Sequence, residues 1–411
     1  MRTARFYLCA GTYLIVFFLP LNYVCLAQPD IGPESDTNDF GYSLNIGSRQ
    51  NATPARMRTY GRPAIFDDSA ASVIETVLVI NDVLVLDSKD RPVNGLRKGD
   101  FTIFENGKKQ EIAFFENGID SSAIPRSIVL LLDHSHSQLP YLKNSIEAAK
   151  ILISKLPEKD RMAIVTDDVK VLVNFTSDKN LLTDSLDRLL ERTVAGEIGR
   201  SQQFRSLMAV INELFKSEDL RPIVIFQTDG DEFPALMQRH LVGRSGLRFS
   251  FGDIVDAAKK RGITIYSVIP SPSFLGLSGK SRKQRATMDL RESGRLWAEI
   301  RNKPFVVAKN GYPERYLNLW ADARARDEAA LERLAKETGG WAENMATPEQ
   351  AGETYDRILS SINQRYMIGY YPIDQANDGS SRKIKVKISD DQGYTIWGRK
   401  EFTLFAASGA R

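Results

Sequence analysis

Cysteine is nearly missing from this chain of 411 residues: there are two, Cys9 and Cys25, both near the start. A disulfide framework or a thiolate metal centre is therefore excluded for everything after Leu26. Histidine is as scarce, with three in the whole chain, and His134 and His136 without a cysteine make a sparse set for a transition metal. Charge of either sign is in no excess, at 55 Lys and Arg against 52 Asp and Glu. A nucleic-acid partner is not expected from such a balance, since only the stretch from 280 to 303 is locally basic. Several catalytic signatures are also missing: no G-x-S-x-G elbow, no H-E-x-x-H, no P-loop and no G-x-G-x-x-G after a strand. No second acid follows Asp133 to form a paired-aspartate phosphatase site, and Ser135 beside His136 is not by itself a triad. An enzyme is not expected; an α/β hydrolase stays open only if a base is brought in by the fold.

The amino terminus has Arg2 and Arg5, an apolar run from Phe6 to Leu26, and the small Ala27 before Gln28-Pro29-Asp30. Basic, apolar and small residues in that order predict a signal peptide over 1–27 and an exported protein: secreted, periplasmic or at the cell surface. The competing reading is an uncleaved membrane tether, because the run approaches the roughly 20 residues that span a bilayer. Residues 28–72 are rich in Pro, Gly, Ser, Asn and Asp with few clustered apolar side chains, and predict a disordered linker.

From 73 to 120 the pattern is β, with Val77 to Leu86, then Phe101 to Phe104 ahead of an Asn106-Gly107 turn, then Ile112 to Phe115. From 121 to 364 strands alternate with amphipathic helices. Ile128 to Leu132 and Ile223 to Phe226 are continuous apolar runs, as central parallel strands covered on both faces require. Residues 365–411 return to β and are expected to pair with 73–120. The fold class expected is α/β: a doubly wound, mostly parallel sheet flanked by helices, with a small β unit made by strands from both flanks. Residues 271–326 form a long insertion, read as a solvated lid, with a contact surface for anionic polymer or lipid head groups at the basic run Lys280 to Arg285 as the alternative; Trp297, Tyr312, Tyr316 and Trp320 imply that part of it packs against its own domain.

In an open α/β sheet, ligands bind beyond the carboxyl ends of the strands, and the two apolar runs lead into Asp133 and Asp229. Ser135 and Ser137, at alternate positions, can turn two hydroxyls toward the same point. An oxygen-only donor set suits a hard divalent cation, Mg²⁺ first, with Mn²⁺ or Ca²⁺ as alternatives. An ion held by few carboxylates keeps positive charge and an open position for an acidic group of a protein partner.

Asp133-His134-Ser135-His136-Ser137 resembles the D-x-S-x-S element of the metal-ion-dependent adhesion site (MIDAS) of von Willebrand factor A (VWFA) domains, and Thr228-Asp229-Gly230-Asp231 resembles their later T-D-G element. With Val93 to Leu96, Asp100 to Gly107, Thr338-Gly339-Gly340 and Tyr366 to Pro372, the stretch from about 75 to 405 looks like the VWFA-related proteins exported by acidobacteria. The resemblance implies metal-mediated adhesion rather than catalysis, with Asp133, Ser135, Ser137 and Asp229 as ligands and His134, His136 and Asp231 facing the partner. The family's loop threonine has no counterpart between Gly199 and Ser206, where Ser201 or Gln202 is the candidate to supply the oxygen. A VWFA-like scaffold with a degenerate metal site is the alternative that this departure keeps open.

Overall fold

A computed structural model describes residues 78–405 other than 90, 118–124, 217–218, 220, 233–248, 301, 305–310, 375–377 and 391. The expected signal peptide and linker, 1–27 and 28–72, lie outside the described residues. Among the described residues no helix is long and apolar enough to cross a membrane.

The central sheet has the order β10-β9-β8-β5-β6-β7. Its strands are β5 (Arg126–Leu132), β6 (Arg161–Thr166), β7 (Lys170–Thr176), β8 (Arg221–Gln227), β9 (Thr264–Ile269) and β10 (Ala342–Asn344). All neighbours run parallel except β6 and β7. Every residue of β5 and β8 is buried, because both faces are covered. Alternate side chains explain the apolar runs. Ile128, Leu130 and Leu132 meet one face of helices, α1 (Leu139–Ser154), α2 (Lys179–Val194) and α7 (Ala351–Asn363). Val129 and Leu131 meet the other, α3 (Gln203–Ala209), α4 (Phe251–Lys260) and the last part of α6 (Glu314–Glu337). Each fully buried Leu, Ile or Phe contributes about 1.5–3 kcal/mol by leaving water. The α/β expectation holds.

The β unit also forms as its sequence pattern implied. One sheet joins β13 (Thr395–Trp397), β1 (Val79–Leu86), β11 (Tyr366–Tyr370) and β4 (Ile112–Glu116). The other joins β14 (Glu401–Phe405), β12 (Asp378–Ile388), β2 (Phe101–Glu105) and β3 (Lys108–Gln110). Early and late strands pair antiparallel, Val79 opposite Tyr370 and Ile103 opposite Val386, over one core that includes Val83, Ile103, Ile368 and Phe402. Asn106 and Gly107 link β2 to β3 with φ of 48° and 81°, the paired positive values of a tight hairpin turn.

Part of the insertion packs, as its aromatic residues implied, with Tyr312, Tyr316 and Trp320 set against a small core. The insertion holds two long helices, α5 (Gly279–Ile300) and the first part of α6, which begins at Glu314. Phe274, Ala286, Leu290, Leu317 and Ala321 pack into a small core of their own. With so few apolar positions among Arg, Glu and Asp, the helical period is hard to see in the sequence.

Candidate metal site at the carboxyl edge of the sheet

After β5 the chain continues to β6 on one side of the sheet, and it later returns to β8 on the other. The ends of β5 and β8 therefore flank the switch point where open α/β sheets form crevices. Asp133 follows β5 with its carboxylate fully buried. One oxygen accepts from the backbone N–H of Ser135 at 2.9 Å and the other from the Thr228 hydroxyl at 2.8 Å. The Gly230 N–H in turn donates to Thr228 Oγ1 at 3.0 Å, which folds the loop after β8 back on its strand. That loop presents Asp229 and Asp231, and the oxygens of Asp133, Asp229 and Asp231 converge within 4.8 Å of one another. The Ser135 and Ser137 hydroxyls lie 3.3 Å apart on the loop after β5.

The cluster is electrostatically uneasy. Burial raises the Asp133 carboxyl well above its ordinary range, and Asp167, Asp231 and Asp229 push it further. Burial and Asp229 do the same to Asp231. Like charges this close hold protons unless a cation joins them. Carboxylate and hydroxyl oxygens with no sulfur or imidazole donor fit a hard divalent ion in charge and chemistry.

The remaining expected residues are placed as follows. Ser201 lies in a left-handed conformation, φ 51°; its N–H donates to Asp167 at 2.8 Å, and its side chain favours the charged form of Asp231. Gln203, not Gln202, sends its amide to Asp231, at 2.6 Å. Gln202 sits one residue earlier, at the N-cap of α3, where its side chain makes no capping bond. Asp231, expected to face a partner, sits among the carboxylates. His134 is buried with Nε2 at 3.6 Å from Asp167 and 3.7 Å from Asp168, so it faces the protein. His136 is exposed and stacks on Trp297 of α5, ring centroids 5.3 Å apart.

Three residues went unforeseen. Asp167 follows β6 and is a hub for the rim: it accepts from the N–H groups of His134 and Ser201, and a Cβ on Gly199 would overlap its carboxylate. The strand-end rule that found Asp133 and Asp229 points to it as well. Gln203 differs from Gln202 by one helical step, which composition does not resolve. Arg324 of α6, 95 positions from Asp229, donates to it at 3.2 Å, and no local signal announces that pair.

No protein-family model and no curated relative matches the sequence. Solved structures to which the chain is similar include an aerotolerance-related membrane protein from Bacteroides fragilis NCTC 9343, at 15% identity and TM-score 0.33 over 57% of this chain and 98% of that one. The vWF domain of the type V pili tip protein Mfa5 from Porphyromonas gingivalis is another, at 14% identity and TM-score 0.33 over 58% of this chain and 95% of that one. Proximal thread matrix protein 1 from the mussel byssus, described with a zinc occupied MIDAS motif, matches at 12% identity and TM-score 0.33 over 58% of this chain and 48% of its own. Likenesses this distant carry no argument about function, which has to come from the side chains.

Proposed function

We propose that this chain is a divalent-cation-dependent binding module of the VWFA kind, working outside the cytosol and engaging a protein partner through one of its acidic groups. The observation that carries the reading is the convergence of Asp133, Asp229 and Asp231 at the switch point of the sheet. Asp133, Ser135, Ser137, Asp229 and Asp231 are the residues that would hold the ion, with Ser201 at its border. A bound divalent ion would supply a Lewis-acidic position open to a carboxylate.

What the residues do is organise that position. Thr228 and the Ser135 N–H orient Asp133, and Gln203 orients Asp231, so the ligands' free lone pairs are preset. His136, exposed at the rim, is the histidine positioned to touch a partner, and His134 supports the loop from beneath. Export rests on the basic and apolar order of residues 1–27, and kinship with the exported acidobacterial proteins on the motifs quoted above. Mg²⁺ is the preferred ion, because few protein ligands leave room for the waters it keeps.

One observation favours a scaffold with a closed site instead: the Arg324 guanidinium already neutralises Asp229. Calorimetric titration of Mg²⁺, Mn²⁺ and Ca²⁺ into the metal-free chain, beside Asp133→Ala and Asp229→Ala, separates the two. Binding that both changes abolish is expected. No heat of binding for any of the three ions in the parent chain leaves the scaffold.

A further inference from the structure

The acid cluster has a cation of its own. Arg324 Nη1 donates to Asp229 Oδ2 at 3.2 Å, with the two side chains only 16% and 2% exposed. The guanidinium is held from behind. Asp289 of α5 lies 3.7 Å from its Nε, and the Trp320 ring lies 5.6 Å below it. Trp320 is itself fixed, by Nε1 donating to Asp289 at 2.8 Å. A second contact reaches the same rim from the insertion, the stacking of Trp297 on His136 in the loop after β5. Both helices of the insertion thus touch the loops that carry the carboxylates.

Both oxygens of Asp229 are engaged, Oδ2 by Arg324 and Oδ1 by the Asp231 N–H at 3.3 Å. The first is a charge-assisted bond between groups shielded from water, and an arginine does not surrender its proton to relieve a cation nearby. A divalent ion ligated by Asp229 therefore meets a fixed positive charge competing for the same lone pairs.

We propose that Arg324 is a resident counter-cation, delivered by the insertion, that sets the divalent-ion affinity of the cluster and leaves Asp229 when the ion binds, moving against Trp320 as it does so. This rests on the reading of the cluster as a divalent-cation site. The insertion then acts as more than a cover. Seating α5 and α6 weakens the site, and loading the site loosens the contact between α6 and the rim.

The test is calorimetric titration of MnCl₂ and MgCl₂ into the metal-free full chain for the parent, Arg324→Gln and Arg324→Lys, with far-UV circular dichroism to confirm folding. Arg324→Gln removes the charge and is expected to tighten binding by about tenfold or more, as loss of a close, poorly screened like charge should. Arg324→Lys keeps the charge and stays nearer the parent. Tryptophan emission during the same titration gives a second readout, expected to change in the parent and to lose that change in Trp320→Phe. Equal or weaker binding by Arg324→Gln overturns the proposal while leaving the cation site standing. Absence of binding in both the parent and Arg324→Gln overturns the site and the proposal together. Should Arg324→Gln fail to fold, the emission decides: ion binding by the parent with no Trp320-dependent change overturns the proposal.

Discussion

Thr228 Oγ1 donates to Asp133 Oδ2 across the ends of two adjacent strands, at 2.8 Å, with both residues fully buried. The bond does two jobs: it satisfies a carboxylate oxygen that has no access to water, and it fixes the direction of the other oxygen. Thr228→Val keeps the volume and removes the donor. The expected cost is about 1–3 kcal/mol of stability, the range for leaving a buried acceptor unpaired. Thr228→Ser restores the hydroxyl and recovers most of it. Urea unfolding of the three metal-free proteins checks the ordering, and a Val variant as stable as the parent would remove Thr228 from this role.

Metal-free protein should lose stability as pH rises through the window set by its buried acids. Glu232, which caps α3 by accepting from the Phe204 N–H at 2.7 Å, is pushed up to about 7 by burial. In the unfolded chain the same group titrates near 4.5. Between those values the folded state holds a proton that the unfolded state has lost, so folding is favoured at the lower end and weakened toward pH 7. Each unit of displacement is worth about 1.4 kcal/mol. Thermal melts at pH 5 and pH 8 compare the parent with Glu232→Gln, whose drop between the two is expected to be smaller. An equal drop in both rules Glu232 out as a source.

Gly199 lies against Asp167 so closely that any Cβ overlaps the carboxylate. Gly199→Ala should push Asp167 off the Ser201 N–H and move the loop that brings Ser201 and Gln203 to Asp231. Outer partners of metal ligands are typically worth about 10- to 100-fold in affinity. The expectation is a weakening of that order in calorimetry, with far-UV circular dichroism unchanged, since the loop is not part of the core. Parent-like affinity would show that Asp167 does not position the rim.

The fold was readable because the two central strands are buried on both faces. Ile128 to Leu132 and Ile223 to Phe226 have no polar interruption, and that run length also marked where each strand stops, hence Asp133 and Asp229 at the rim. What was not readable depends on distance or on single steps of register. Gln203 rather than Gln202 reaches Asp231 because one residue rotates a helical side chain by about 100°. Arg324 reaches Asp229 from the insertion, whose helices carry so few buried apolar side chains that charge pairing, Arg282 with Asp322 and Lys283 with Glu314, masks their period. The His134 imidazole turned inward because Asp167 and Asp168 wait beneath it, a pairing visible only once β5 and β6 lie side by side.

The β unit offers a test of how its two halves are held. Arg382 of β12 and Glu105 of β2 pair at 2.7 Å with side chains 2% and 3% exposed, and the Tyr370 hydroxyl donates to the second Glu105 oxygen at 2.9 Å. The pair joins an early strand to a late one inside an apolar core, so its cost of desolvation is repaid only while both partners are present. Arg382→Leu leaves the buried Glu105 without its cation, held by the Tyr370 hydroxyl, and is expected to cost about 3–5 kcal/mol. Changing both residues, Arg382→Leu with Glu105→Leu, removes the stranded charge and should recover most of that loss, because an apolar pair of similar volume is often no less stable. Urea unfolding of the single and double variants measures the coupling. A double variant as unstable as the single one would mean that packing around Arg382, rather than the charge on Glu105, decides the stability of the unit.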